Sequence, residues 1–307
     1  MTRNGRRFDV IATGGVDVDL VLTVDAIPSE GETVMGELVG RLPGGTVANF
    51  ACAAARIGMR SASLASVGDD SAGRALIQDF ERFGVDTSFV SVLAEVETNF
   101  TVVLVAPSGE RSIVVVPMFK AAYDPEVARR AYASGRAAYM MTGQGQEFIQ
   151  LAELARSEGA LVMVDMDPTI GAAPAGVEDV LTRVNVACLN HHAFAAVARE
   201  QPSVAAARRL LDYGPQVVVV TSGSGGALAV TADEAASVPG WKVEVRDTTG
   251  AGDTFNAAFL AGTLRREPLE KRLRFANAAA AIAVTGLGPR GHLPTRTEVE
   301  SLLAQVE

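Results

Sequence analysis

Cysteine and histidine are scarce in this 307-residue chain, and the scarcity excludes some chemistry. The two cysteines, Cys52 and Cys188, each sit in an apolar context, which suits buried thiols and not a disulfide framework. Of the three histidines, His191 and His192 are adjacent and expected to point apart, and His292 is far along the chain, so no zinc-type cluster is available. No basic run is present and the formal charge is −9, which argues against nucleic acid as a main partner. No run approaches the roughly eighteen apolar residues that span a bilayer. Met1 to Arg7 leads directly into a strand without the apolar core of a signal peptide, so the cytoplasm is the expected location. A Walker loop ending in Gly-Lys-Ser/Thr is missing too, so any bound nucleotide needs another cradle for its phosphates. What remains, 48% apolar and 21% charged, is a globular chain with enough residues for one large α/β domain or two small ones.

The richest stretch is Asp247-Thr-Thr-Gly-Ala-Gly-Asp-Thr-Phe255. Trp241 to Arg246 alternates like a strand before it, and Asn256 to Leu264 reads as a helix after it, with Phe255, Phe259 and Gly262 on one side. A glycine turn opening a helix presents free N–H groups and the positive end of the helix dipole, a site for an anion. Asp253 beside such a hole either takes a proton from an attacking hydroxyl or merely caps the helix. A helix N-terminus lowers a carboxylate's pKa, so Asp253 is expected to be a weak base.

Earlier in the chain, the strand Phe8 to Thr13 runs through Gly14-Gly15 into Val16-Asp-Val-Asp-Leu20. The period of two puts Asp17 and Asp19 on one side, to hold a polyhydroxylated ligand or to face solvent. Pro43-Gly-Gly-Thr-Val-Ala-Asn49 then enters a helix that stops at Gly58. A strand over 61–67 is followed by Asp69-Asp70, read as a turn and helix cap, and a helix over 74–83. Residues 99–106 and 111–116 form a hairpin that belongs with the β-prone pieces of 20–43 in a small separate sheet.

From residue 124 onward helices and strands alternate: helices at 124–134, 145–158, 191–199 and 203–213, strands at 137–141, 160–165, 184–189 and 216–221. This pattern implies a mostly parallel sheet with ligands at the strand carboxyl ends. Asp165 and Asp167 end one strand, as peripheral candidates for phosphate or metal-bound water or as a polar turn before Pro168. Thr221, Gly223 and Gly226 form a Thr-x-Gly-x-x-Gly loop. A helix over 269–284 and another from Arg296 close the chain. Gly286, Gly288 and Gly291 have dinucleotide-fingerprint spacing, but they follow a helix where a strand is required.

From residue 8 to 304 the chain resembles the PfkB carbohydrate kinases, the ribokinase-like family. The likeness is carried by DTTGAGDTF, by the Gly44-Gly45 to Asn49 turn, by Asp17-x-Asp19 and by the Thr221 loop. It implies a ribokinase-like three-layer α/β/α fold with a largely parallel central sheet and a small β-sheet lid. Residues 1–307 would form one kinase domain, with the lid built from about 16–43 and 96–118. It implies ATP-dependent phosphorylation of a hydroxyl, a primary alcohol, of a sugar or related small molecule. Asp253 would be the base, and Gly250, Ala251 and Gly252 the anion hole. Asp19, Asp17, Gly44, Gly45 and Asn49 would bind the acceptor, and Asn190, Thr221, Gly223, Gly226 and Asn277 the nucleotide. The expected cofactors are ATP and Mg²⁺, with K⁺ at Asp247 and Thr249, and the expected assembly is a homodimer through the lid.

The chain departs from the family pattern in four places. Asp17 replaces Asn, and Thr46 stands where many members have Lys. Ala193 replaces the Glu of Asn-x-x-Glu, which leaves Mg²⁺ to other oxygens. The Arg of the Asp-Pro-Asn-x-Arg motif is missing after Asp165. The first two, with Gly143-Gln-Gly-Gln146, concern which acceptor is chosen. The rival readings are a nucleoside kinase of the same fold, a non-catalytic ligand-binding relative suggested by Ala193, and, behind both, a dehydrogenase.

Overall fold

Strands buried on both faces and strands left half open sort the chain into two sheets. The computed structural model describes residues 5–108, 111–118, 123–142, 146–166 and 176–305. In chain order, β1 (Phe8–Thr13) is followed by β2 (Asp17–Val24), β3 (Gly36–Gly44), α1 (Thr46–Arg56), β4 (Ser61–Gly68), α2 (Ser71–Phe83) and β5 (Asp86–Leu93). Next come β6 (Phe100–Val105), β7 (Arg111–Val116), α3 (Pro125–Ser134), β8 (Gly135–Met141), α4 (Gln146–Ser157) and β9 (Leu161–Asp165). Then follow α5 (Val177–Leu181), β10 (Val186–Asn190), α6 (His191–Ala198), α7 (Val204–Leu211), β11 (Val217–Thr221), β12 (Ala227–Val230) and β13 (Ala235–Val238). The helices α8 (Ala251–Leu264), α9 (Leu269–Ala283) and α10 (Arg296–Leu303) complete the fold.

The main sheet has the order β13-β12-β11-β10-β9-β8-β1-β4-β5. It is parallel from β11 to β5, while β12 and β13 add as an antiparallel edge. Its inner strands β9, β10 and β11 are near-continuous apolar runs because helices cover both faces. Phe50, Phe259 and Leu273 fill one side, from α1, α8 and α9, and Tyr132, Phe148, Phe194 and Leu210 fill the other, from α3, α4, α6 and α7. The strand order reverses at β1, which has β4 on one side and β8 on the other. Ligands of open α/β sheets lie at the carboxyl ends of strands at such a reversal. Here that point is Gly14-Gly15, just before Asp17.

The second sheet, β3-β2-β6-β7, joins the β-prone pieces of 20–43 to the hairpin of 99–116. Most of β3 and β7 is open to solvent.

Three sequence readings need correction. Residues 241–246 are not a strand: the segment leaves the sheet edge after β13 and is tied instead to the end of α9, where Arg246 and Asp247 N–H donate to the Val284 carbonyl. The His191 and His192 rings do not point apart; their centroids are 3.8 Å from each other in the first turn of α6. The main sheet also contains β5 and the β12–β13 hairpin, which the alternation did not reveal. β5 and β13 are the edge strands, and their mixed burial gives weak patterning; β12 is only four residues long. Asp167, Pro168 and the stretch 143–145 lie outside the described residues. Both cysteines are buried free thiols, and no helix among the described residues is long and apolar enough to cross a membrane.

Candidate active site

Gly250 enters α8 with φ of +77°, a left-handed conformation that glycine adopts without strain. A Cβ there would also lie 2.7 Å from the Pro289 carbonyl, so the turn is pressed against the loop following α9. No side chain caps α8, which leaves the positive end of the helix without a resident anion. Asp253 is therefore not the cap. It sits in the first turn, 7% exposed, and its Oδ2 accepts from Asn49 Nδ2 at 3.0 Å.

That bond brings the two glycine turns together. A Cβ at Gly44 would be 2.5 Å from Asp17 Oδ1 and 2.6 Å from Asp19 Cγ, so both carboxylates pack directly over this residue. Gly45, with φ of +90°, lies against the Gly15 carbonyl and starts α1, which carries Asn49. Thr101 of β6 donates its hydroxyl to Asp19. Asp17 Oδ1 is buried and accepts from no group of the described chain. The five acceptor-side candidates, Asp17, Asp19, Gly44, Gly45 and Asn49, thus converge with Asp253.

The electrostatics overturn the expectation of a weak base. Burial, then the charge of Asp165, push the Asp253 carboxyl up to about 8, against the opposing pull of Asn49 and Arg290. Loss of solvation raises it most, because the charged form of a buried carboxyl has given up the water that would stabilise it. Asp17 is raised to about 7 by burial and then by Asp19, with Arg290 pulling the other way. Asp165 belongs to the same neighbourhood: it accepts from Asn256 Nδ2 at 3.1 Å and from the Tyr139 hydroxyl at 3.3 Å. Tyr139 stacks on Phe50 with ring centroids 3.5 Å apart.

A cleft of about 290 Å³ opens beside this cluster. Its lining mixes polar residues, among them Asp17, Thr46 and Glu147, with apolar Val16, Val47, Met140, Met141, Phe148 and Leu151. Asp253 does not line it, but the Gly44–Asn49 turn adjoins both.

The nucleotide-side candidates gather elsewhere. Asn190 and Thr221 pair in register at the carboxyl ends of β10 and β11, and Asn190 Oδ1 caps α6 by accepting from Ala193 N–H. Ala193 is fully buried, so that position presents no oxygen to a ligand. Gly223 begins a single 3₁₀ turn after β11. Gly226 abuts the Val238 carbonyl, where a Cβ would lie 2.1 Å away. Asn277 donates to the Val238 and Pro239 carbonyls at 3.1 and 3.2 Å, so its amide N–H groups tie α9 to this loop.

Asp247 bridges the glycine turn to the 285–291 loop, accepting from Thr249 N–H at 2.9 Å and from Gly288 N–H at 3.0 Å. Those bonds and Arg111 hold its carboxyl below the usual range despite burial. Arg111, from β7, reaches Asp247 at 3.7 Å and donates to Thr248 and Thr249.

Sequence reasoning missed Arg111 and Arg290. Arg290 donates to Asn49 Oδ1, to the Gly44 carbonyl and to Asp79. Arg111 belongs to no motif and Arg290 sits within the misplaced Gly286–Gly291 triplet, and only the folded chain brings them to these glycine turns. Asp70 fulfils the expected capping role, and Asp69 instead pairs with Arg74.

Comparison with known proteins bears out the fold. The chain is 32% identical over 300 residues to the ribokinase of Bacillus subtilis, covering 96% of this chain and 99% of that protein. It is 30% identical to the ribokinase of Haemophilus influenzae, over 97% of this chain and 99% of the other. The crystal structure of ribokinase from Thermotoga maritima superposes with a TM-score of 0.84 at 28% identity, covering 97% of this chain and 99% of that one. The model of the pfkB family carbohydrate kinases matches residues 7–296. From β1 to the start of α10, the chain belongs to that family of carbohydrate kinases.

Proposed function

We propose that the chain transfers the γ-phosphoryl group of ATP to a primary hydroxyl of a sugar, with Asp253 as the base. ATP-dependent carbohydrate kinase activity follows from the family; the residue roles are our reading. The observation that carries it is Asp253 itself, buried at an uncapped helix N-terminus and bonded to the turn that packs under Asp17 and Asp19. In the reaction the acceptor O–H loses its proton to the Asp253 carboxylate. The oxygen bonds to the γ-phosphorus as the β–γ bridge breaks, and ADP leaves. N–H groups of Gly250, Gly252 and Asp253 would meet the charge on the moving phosphoryl group, while the Ala251 N–H, expected to share that role, donates to the Thr248 carbonyl at 3.3 Å. A carboxylate held near 8 accepts a proton more readily than an ordinary one, at the cost of being mostly protonated in the free protein at neutral pH.

Mg²⁺ enters as the ATP complex. Among the described residues no cluster of three metal-ligating side chains is present, which is consistent with a metal held chiefly by phosphate oxygens. Asn190, Thr221, Gly223, Gly226 and Asn277 would border the nucleotide. A resident K⁺ at Asp247 and Thr249 fits less well. Both Asp247 oxygens already accept N–H groups and the Arg111 guanidinium stands beside them, so we derive no step through a monovalent cation.

The named activity of the relatives favours ribose or a similar pentose. One observation supports a nucleoside instead: the apolar residues of the cleft, Met140, Met141, Phe148 and Leu151, would suit a flat base beside a ribose held at Asp17. We read the small sheet as a lid that shuts water out of the site, where it would compete for the phosphoryl group. Its exposed Leu38, Val39, Ile113, Val114 and Val115 support pairing with a second copy. Assaying ATP-dependent product formation across pentoses, hexoses and nucleosides tests the whole reading. The absence of any phosphorylated product would end it.

A further inference from the structure

Arg290 is held from several directions. Its side chain is 7% exposed and its guanidinium lies 5.8 Å from the Phe80 ring centroid. Nε donates to Asn49 Oδ1 at 2.9 Å, Nη2 to the Gly44 carbonyl at 2.9 Å, and Nη1 to Asp79 at 2.5 Å. The Asn49 amide then has no choice of orientation. Its oxygen must face a group that only donates, and its nitrogen must face Asp253, 3.0 Å away. One planar fork thus fixes the acceptor-side turn, through the Gly44 carbonyl, and the proposed base, through Asn49.

We propose that Arg290 is a positioning residue for phosphoryl transfer, one buried cation that sets the geometry and charge of both acidic centres of the site. The inference rests on Asp253 being the base. The charged and titratable groups acting on Asp253 come from three directions: Asp165 from β9, Tyr139 from β8 and Arg290 from the loop after α9. Asp17 feels Asp19 from its own strand and Arg290. Arg290 is the cation common to the two, and it favours the ionised form of each. Asp79 plays a different part: it balances the buried guanidinium and anchors it to α2.

The experiment measures kcat, acceptor KM and the pH profile of kcat/KM for wild type, Arg290→Lys, Arg290→Met and the double variant Arg290→Met with Asp79→Leu. The double variant removes the buried carboxylate that the single one would strand, so that it folds even where Arg290→Met does not. With the fork gone, kcat should fall about 10- to 100-fold, and the acid limb of kcat/KM should move up by about one pH unit. Arg290→Lys keeps the charge and loses the fork, so its limb should stay in place while kcat falls. A folded double variant with the wild-type limb and kcat overturns the proposal. The base assignment is tested separately: if Asp253→Asn turns over normally, that reading fails whatever Arg290 does. If Asp253→Asn is inactive while the double variant behaves as wild type, only the role of Arg290 is lost.

Discussion

The two sheets obey different rules. The inner strands of the main sheet are closed on both faces, as in β4, where all eight residues are buried. The β3 strand of the small sheet exposes most of its length, and Ile113, Val114 and Val115 of β7 are each more than half exposed. The difference separates rigidity from access. Groups that must hold a fixed geometry, Asp253, Asn49 and Arg290, stand on or beside helices packed against the main sheet. The small sheet contributes Asp17, Asp19 and Gly44, with Thr101 supporting Asp19 and Arg111 reaching Thr248 and Thr249. Local opening is easiest where few apolar contacts must be broken, so motion is expected in the small sheet while Asp253 stays in place.

The largest blow to this division would come from Asp253→Asn. It should lower kcat by about 10³-fold, at the upper side of general-base effects, while ATP still binds. The same change should stabilise the protein without ligand. A carboxyl at about 8 in the folded chain and 3.8 unfolded keeps its proton only when folded, so stability declines as pH rises between those values. Asparagine removes that penalty, and thermal unfolding at pH 8 should show a Tm higher by roughly 2–4 °C, with the gain fading near pH 4. A variant less stable at pH 8 would contradict the assigned burial. In the wild type, kcat/KM should climb with pH toward about 8, where Asp253 ionises, with Asp17 titrating near 7 in the same region.

Gly250→Ala tests the turn. The added methyl meets the Pro289 carbonyl and forces a side chain into left-handed backbone. A loss of about 10²-fold in kcat is expected from displaced N–H donors, and a normal rate would mean the turn does not hold the phosphoryl group.

Changes to the small sheet should act more mildly. Ile113→Asp should leave kcat within about threefold, since surface changes away from packed groups perturb little. It should nevertheless convert a dimer to monomers, as light scattering would show. A wild-type protein already monomeric at micromolar concentration rules out pairing through this face. The smallest effect concerns ions: replacing K⁺ by a large organic cation at constant ionic strength should leave turnover unchanged. Strong K⁺ activation would show that Arg111 does not satisfy Asp247.

The same contrast explains what was legible in the sequence. The inner strands and their helices could be read because double burial writes long apolar runs, as in Val217–Thr221. The edge strand β5 interleaves Thr87, Ser88 and Ser91 with its apolar residues, and Trp241 to Arg246 alternates without a partner strand to pair with. Pattern alone cannot tell those two cases apart. Within the site, glycine turns announced Asp253 and Asn49, because backbone near a ligand demands residue types that stand out. Arg290 stayed hidden because its partners lie 241, 246 and 211 residues away in sequence. The direction of the Asp253 pKa was misjudged for a related reason: the dipole is local and visible, whereas burial depends on the whole fold.

Gly44 carries a last consequence. With two acids seated over a residue that has no side chain, the floor of the proposed acceptor site leaves no room for remodelling. Any larger residue there would evict both carboxylates at once. If that site takes the acceptor, a change of substrate must come around the floor, at residue 46 or through the rest of the small sheet.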